Sequence, residues 1–152
     1  MPHFSETRVL PYSPQQLFAL VVDIEKYPEF LPWCRAARVI SREADGSFLG
    51  ELIISFKHLT ERYSSRVTPT PPQGNTQGTI EVSLVSGPFS HLSNHWGFVP
   101  HANGTELHFA VDFAFKSRLL NSLMGDMFTR ASEKMVSAFS TRAEVLYGIG
   151  LS

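Results

Sequence analysis

Six histidines and one cysteine are the side chains in this sequence most able to do chemistry. His91 and His95 have the i, i+4 spacing that sets two imidazoles on one face of a helix, a metal-binding arrangement. They fall, however, in an alternating stretch that reads as a strand, and no Cys, Asp or Glu completes a ligand set. No metal site is therefore expected, and His3, His101 and His108 read as scattered surface or hairpin residues. Cys34, beside Trp33, would need an activating base to act as a nucleophile, and none of its neighbours looks like one. A small buried thiol is the expectation. The sequence holds no Gly-rich phosphate loop, no dinucleotide fingerprint and no Gly-x-Ser-x-Gly elbow. A pocket histidine such as His58 could be recruited by an enzyme, but nothing demands one, and no catalytic residue is assigned.

Binding chemistry is better represented. Asp23 to Cys34 reads DIEKYPEFLPWC. Its prolines forbid a continuous helix, yet Tyr27, Phe30, Leu31 and Trp33 are too apolar for a solvated loop. This connection is expected to pack on the fold or, with Phe89, to form a lip that meets a ligand or a bilayer. Phe56, Trp96, Phe98, Phe113 and Phe115 fall on the inward faces of strands, and Met124, Met127 and Phe128 on the buried face of a helix. Singly each reads as core; together they could wall a cavity, since methionine adapts to irregular ligands. Asn94 and His58 are the inward polar groups. Arg35, Arg38, Arg42, Lys57, Arg62 and Arg66 gather on neighbouring strands. With Glu43, Glu51 and Glu61 interspersed they read as a solvated sheet face. The sharper reading makes Arg38, Arg62 and Arg66 a docking surface for anionic headgroups or RNA.

The elements that must position these groups are legible from periodicity. Phe4 to Leu10 is a strand closed by Pro11. Ser13, Pro14 and Gln16 make a capping box with proline at the first helical position, starting a helix over Pro14 to Val22. A short helical turn over Ile24 to Tyr27 follows. Strands are expected over Ala37–Glu43, Phe48–His58, Thr60–Thr68, Thr79–Val85, Leu92–Val99 and, most clearly, Leu107–Phe115, with Asp45-Gly46 and Asn103-Gly104 as hairpin turns. Pro69 to Asn75 and Gly87-Pro88-Phe89 read as loop and turn. From Arg118 to Tyr147 apolar residues recur at three- and four-residue steps, Leu120 to Leu146, as one face of a single helix capped by Ser117 and Gly148. The order strand, helix, helical turn, six strands, long helix is an α+β fold whose hairpins make the sheet antiparallel. About seven strands would wrap the terminal helix.

Composition sets the outer bounds. The 152 residues suit one domain spanning 1–152, and 43% hydrophobic residues with 18% charged is globular. A formal net charge of −1 argues against nucleic acid, DNA included, as a bulk electrostatic partner and leaves only a local basic patch open. A lone cysteine fits a reducing, cytoplasmic setting. No run approaches the ~20 apolar residues of a membrane span, and the first residues show neither a signal peptide nor an Arg-rich leader.

Several segments resemble the coenzyme Q-binding subfamily of the START-like, polyketide cyclase superfamily. They are Tyr27-Pro28-Glu29-Phe30-Leu31-Pro32-Trp33-Cys34, Gly87-Pro88-Phe89 with Leu92, Trp96-Gly97-Phe98, Phe113-Ala114-Phe115-Lys116-Ser117, and Ala138-Phe139 with Arg142-Ala143. That group includes mitochondrial quinone-binding proteins and a bacterial ribosome-association toxin, and the missing leader points to a bacterial member. The resemblance implies a helix-grip fold whose cavity, between helix and sheet, holds ubiquinone or a related isoprenoid lipid. His58 and Asn94 would then face quinone oxygens. Non-catalytic delivery of quinone to respiratory complexes, with peripheral membrane contact, is the leading expectation. A ribosome-associated factor binding the large subunit is the alternative, and a cyclase-type enzyme the third reading. Along the long helix the cavity is expected near Met124, Met127 and Phe128, with Phe139 and Leu146 packed conventionally.

Overall fold

The structure is a computed structural model that describes residues 3–57 and 59–149; His58 lies outside the described residues. Strand β1 (His3–Leu10) leads into helix α1 (Pro14–Val22) and a 3-10 helix over Ile24–Glu29. Six strands follow: β2 (Cys34–Arg42), β3 (Phe48–Phe56), β4 (Leu59–Thr70), β5 (Gly78–Ser86), β6 (Phe89–His101) and β7 (Gly104–Phe115). Helices α2 (Arg118–Glu133) and α3 (Met135–Tyr147) end the chain. The seven strands form one antiparallel sheet in the order β1-β7-β6-β5-β4-β3-β2. Hairpins link β2 through β7 in sequence, and β1 pairs back onto β7. The helices lie on the inner face of this sheet. This is the helix-grip, START-like fold.

Local chemistry accounts for the element ends. At α1 both halves of the capping box form: Gln16 N–H donates to Ser13 Oγ at 3.1 Å, and Ser13 N–H donates to Gln16 Oε1 at 3.0 Å. Gly104, with φ of +126°, turns β6 into β7 where a Cβ would sit 2.2 Å from the Leu10 carbonyl oxygen. Only glycine fits there, and the neighbouring Thr105 hydroxyl donates to the Tyr12 carbonyl at 2.7 Å. The β6–β7 turn is thereby tied to the link between β1 and α1.

Some boundaries depart from expectation. Pro69 and Thr70 belong to β4, and Pro69 stands opposite Ile80 of β5. Pairing of β4 with β3 ends at Val67, opposite Phe48, so the nitrogen that proline cannot use as a donor has no β3 partner to satisfy. Phe89 begins β6 rather than closing a turn. The single long helix is broken at Lys134, whose N–H reaches both Arg130 O at 3.2 Å and Ala131 O at 3.1 Å. Two hydroxyls just upstream explain the irregular turn. Thr129 Oγ1 donates to Gly125 O and Ser132 Oγ to Phe128 O, each at 2.9 Å, and such back-bonding competes with the helical ladder and bends it.

The core has two aromatic centres. Phe139 of α3 is fully buried and meets Tyr27, Phe30 and Trp96 edge-on, with ring centroids 5.4, 5.0 and 5.1 Å away. Phe89, Phe113, Phe115 and Phe128 form the other, with centroids 4.4 to 6.0 Å apart. Each such pair contributes ~0.5–1.5 kcal/mol beyond the area it buries. Leu123 and Leu146, assigned from periodicity to the buried helix face, are instead exposed.

Candidate functional site

The inner wall of β3 to β6 does not close completely on the helices. A cavity of about 70 Å³ remains between the sheet, α1, the 3-10 helix and the start of α3. Leu52, Tyr63, Val67, Ile80, Val82, Asn94 and Trp96 line it from the sheet, Val21, Ile24 and Tyr27 from the segment after β1, and Met135 from α3. Gly50 completes the sheet wall; a Cβ there would meet Ile24 Cδ1 at 2.7 Å, so glycine allows the 3-10 helix its close approach. No residue lining the cavity carries a charged side chain.

Its polar groups are few and mostly occupied. Asn94 Nδ2 donates to the Ala110 carbonyl at 2.8 Å, and Asn94 Oδ1 accepts from Trp96 Nε1 at 3.0 Å. The Tyr27 hydroxyl donates to the Val21 carbonyl. Burial pushes the phenols of Tyr27 and Tyr63 well above their ordinary range, so both remain neutral. Ser65 has a buried Oγ with no hydrogen-bond partner among the described residues, and the Tyr63 hydroxyl makes no hydrogen bond among them either. An orphan hydroxyl in an apolar wall is costly unless something bonds to it. The cavity can therefore take a neutral apolar group carrying a hydrogen-bonding atom. At its present size it is well below the ~300–1,000 Å³ of ordinary ligand pockets.

Of the side chains singled out from the sequence, Tyr27, Trp96 and Asn94 meet at this cavity. Leu31 and Phe98 are core, Phe98 meeting Phe18 edge-on at 5.6 Å. Met124 is fully buried, and Phe113, Phe115 and Phe128 fill their own aromatic centre, so the cavity lies beside Met135 and not where those residues were expected to open it. Phe30 packs on Phe139, with the Arg142 guanidinium 5.2 Å from its ring. Phe89 is fully buried and makes no lip. Trp33, Phe56 and Met127 line a separate open groove with Lys57, Arg130 and Lys134. Sequence reasoning overlooked Ser65, although it shares strand parity with Tyr63 and Val67, because a serine does not signal an inward face.

Cys34 is buried, and that burial drives its thiol up to about 11 despite its contact with the Ala36 carbonyl. It is a protonated, unreactive group. Among the described residues no cluster of three or more His, Cys, Asp or Glu could hold a metal. His95 pairs with Glu81, His3 with Asp112 at 2.6 Å and His108 with Glu106 at 2.8 Å.

Arg38, Arg62 and Arg66 occupy the outer face, whereas Arg42 stands opposite the inward Phe48. Glu51 of β3 stands opposite Arg38 of β2 in register, 2.8 Å from its Nε, and 3.9 Å from Arg62 Nε of β4. The Glu51 side chain is 13% exposed while those of Arg38 and Arg62 are 64% and 65% exposed. One sunken carboxylate thus accepts a hydrogen bond from Arg38 and lies within ion-pair reach of Arg62, and both guanidinium groups face solvent. Arg66 lies 3.8 Å from Glu43, and the Arg42 guanidinium stands 5.3 Å from the ring of Phe48.

The sequence profile described as polyketide cyclase / dehydrase and lipid transport matches residues 10–140. The chain belongs to that family. Within this cyclase and lipid-transport family it is 46% identical to the "Ribosome association toxin RatA" of Rickettsia prowazekii, over 95% of this chain and 97% of that one. It is 33% identical to the "Coenzyme Q-binding protein COQ10 homolog B, mitochondrial" of Xenopus laevis, over 95% of this chain and 59% of that protein. The solution structure of an 18 kDa Caulobacter crescentus protein is 37% identical and superposes with a TM-score of 0.75, covering 97% of this chain and 99% of that one. Among the described residues no helix is long and apolar enough to cross a membrane.

Proposed function

We propose that this protein acts by associating with the ribosome and that the exposed arginines of β2 and β4 are its docking face. The observation carrying this reading is the 46% identity, over nearly the full length of both chains, with a relative named for ribosome association. The geometry supports it. Guanidinium groups are planar, bidentate donors suited to phosphate, and Glu51 holds two of them on a rigid strand face. With a net charge of −1, attraction to RNA has to come from such a local patch. Neither the cavity nor Cys34 offers a charged or activated group, which supports a non-catalytic role. The test is cosedimentation with the large ribosomal subunit before and after charge reversal at Arg38 and Arg62. Undiminished binding of the reversed variant would remove the arginine face from the proposal.

A second reading is favoured by the uncharged cavity and the unpartnered Ser65 hydroxyl, together with the frog relative's name. In it the cavity expands around an isoprenoid quinone, whose oxygen takes the Ser65 hydroxyl as donor, and the protein carries the lipid to respiratory complexes. Expansion would draw on the irregular turn at Lys134, next to Met135. Organic extraction of purified protein followed by mass spectrometry tests it. An extract free of isoprenoid quinone, with no binding when one is added, would remove this reading.

A further inference from the structure

We propose that the outward face of α2 is a docking surface for an anionic lipid bilayer. Leu119, Leu123 and Met127 follow one another at i, i+4 and i+8 along α2; Leu119 lies opposite the buried Phe128, and the stripe turns toward the half-buried Met127 at the edge of the buried face. Leu119 is 68% and Leu123 43% exposed. The stripe runs into the open groove lined by Trp33, Phe56 and Met127, whose volume is about 310 Å³. Exposed apolar surface thus continues from a helix into a cleft.

The rim of this surface is cationic. Lys57, Arg130 and Lys134 line the groove, and Lys116 and Arg118 stand at the opposite end of α2; all are exposed. None of them forms an ion pair among the described residues. Asp126 and Glu133, also exposed on α2, are the acidic side chains of the same helix. Helix stability alone does not explain the pattern. Arg130 and Lys134 suit the negative end of the helix dipole, but Lys116 and Arg118 sit at its positive end, where cations are unfavourable. Lys57 is the one non-glycine residue among those described with positive φ, +55°, a costly backbone state held at the groove.

An anionic bilayer meets both halves of this chemistry. Headgroup phosphates satisfy the cations, and the acyl boundary takes the leucines, as for other helices that lie in an interface. RNA would satisfy the cations but gains nothing from two branched aliphatic side chains on a convex helix, since nucleic acid binds through stacking, hydrogen bonds and charge. From Leu119 to Lys134 the stripe is about 22 Å long at ~1.5 Å per residue. It belongs to the helical layer, on the other side of the sheet from Arg38 and Arg62, so it does not depend on the ribosome proposal.

The test is cosedimentation of the full chain with vesicles of phosphatidylcholine alone or mixed with phosphatidylglycerol, at low and high salt. Binding is expected to the mixed vesicles, weakened by salt. Leu119→Ser with Leu123→Ser changes no charge and should lower binding about tenfold while lowering the melting temperature by only a few degrees, from lost helix propensity and the partial burial of Leu123. Arg130→Glu with Lys134→Glu should also lower it, and Arg38→Glu with Arg62→Glu should not. The Trp33 emission should shift to the blue on vesicles, a shift absent from Trp33→Phe because Trp96 is already buried. No binding to the mixed vesicles at low salt would overturn the proposal, as would full binding by the serine double variant. So would a serine double variant that loses ribosome cosedimentation yet keeps its vesicles.

Discussion

Reversing Arg38 and Arg62 to glutamate should change not only how tightly the protein holds the large subunit but how that binding responds to salt. Both guanidinium groups share the single Glu51 carboxylate, 2.8 and 3.9 Å away, so one positive charge of the trio is left over and both arginines face solvent. Each arginine that meets a phosphate adds about 0.9 to the slope of log affinity against log salt, somewhat less on single strands. With Arg38, Arg62 and Arg66 engaged, raising salt from about 50 to 200 mM should weaken binding ~40-fold. With Arg66 alone the same change costs only ~3.5-fold. The two curves should converge as salt rises, which pelleting through a sucrose cushion at several salt concentrations measures directly. Loss of the exposed pairs alone should cost the fold ~1 kcal/mol or less, but the reversal also sets two carboxylates beside the 13%-exposed Glu51 and costs more, so urea melts of the double variant accompany the binding curves. Glu51→Gln is the matched control. It frees both arginines without moving the backbone, and it should tighten binding. Parallel salt curves for wild type and the double reversal, or weaker binding by Glu51→Gln, would refute the reasoning.

Removing the orphan hydroxyl with Ser65→Ala should leave the unliganded protein equally stable or up to ~1 kcal/mol more stable in urea melts, because no hydrogen bond is lost. A marked loss of stability would mean the hydroxyl is satisfied. Phe139→Ala empties the fully buried meeting point of Tyr27, Phe30 and Trp96 and should cost ~3–5 kcal/mol, read as a lowered denaturation midpoint. Gly104→Ala forces a Cβ against the Leu10 carbonyl at φ of +126° and should be strongly destabilising, whereas Gly46→Ala, strained but with nothing within 4 Å, should cost less. The Cys34 thiol is raised from an ordinary 9.0 to about 11 by burial, so folding favours its neutral form. That contribution is fully present below pH 9 and is lost as pH rises toward 11, at ~1.4 kcal/mol per unit. Urea melts of wild type against Cys34→Ala should therefore agree in trend below pH 9 and diverge above it, the wild type losing stability faster.

Elements whose signals are local were legible in the sequence. The capping box at Ser13 and Gln16 fixes the start of α1, and Pro14–Val22 is the helix found. Alternation in Leu107 to Phe115 gave β7 its inward face because a strand has only two sides to choose from. What depends on how side chains fill shared space was not legible. Met124 and Phe128 carry the right periodicity to wall a cavity, but whether they do is decided by Phe89, Phe113 and Phe115 arriving from other strands. The break at Lys134 comes from hydroxyls that choose a carbonyl one turn back, a choice that serine and threonine leave open in sequence. Pro69 entered a strand because β3 ends before reaching it, a fact of strand length rather than of proline. Arg38 and Arg62 were visible as part of a basic group, but their shared neighbour Glu51 required the register of β2 and β4 on β3.

The position of β2 bears on how its arginines can be probed. It is the last strand of the sheet, so one side of its backbone has no strand partner. That edge carries features that disfavour pairing with another strand. Glu25 accepts from the Val39 amide at 3.0 Å, register shifts fall between Cys34 and Ala36 and between Val39 and Ser41, and Arg35, Arg38 and Arg42 place charge along the edge. Such devices keep an open edge from adding a strand of another molecule. Arg38→Ala would remove one of them and promote pairing between copies, which would consume protein and imitate a loss of affinity. Arg38→Glu keeps a charge at the same place, so the guard on the edge survives while the attraction for phosphate is reversed.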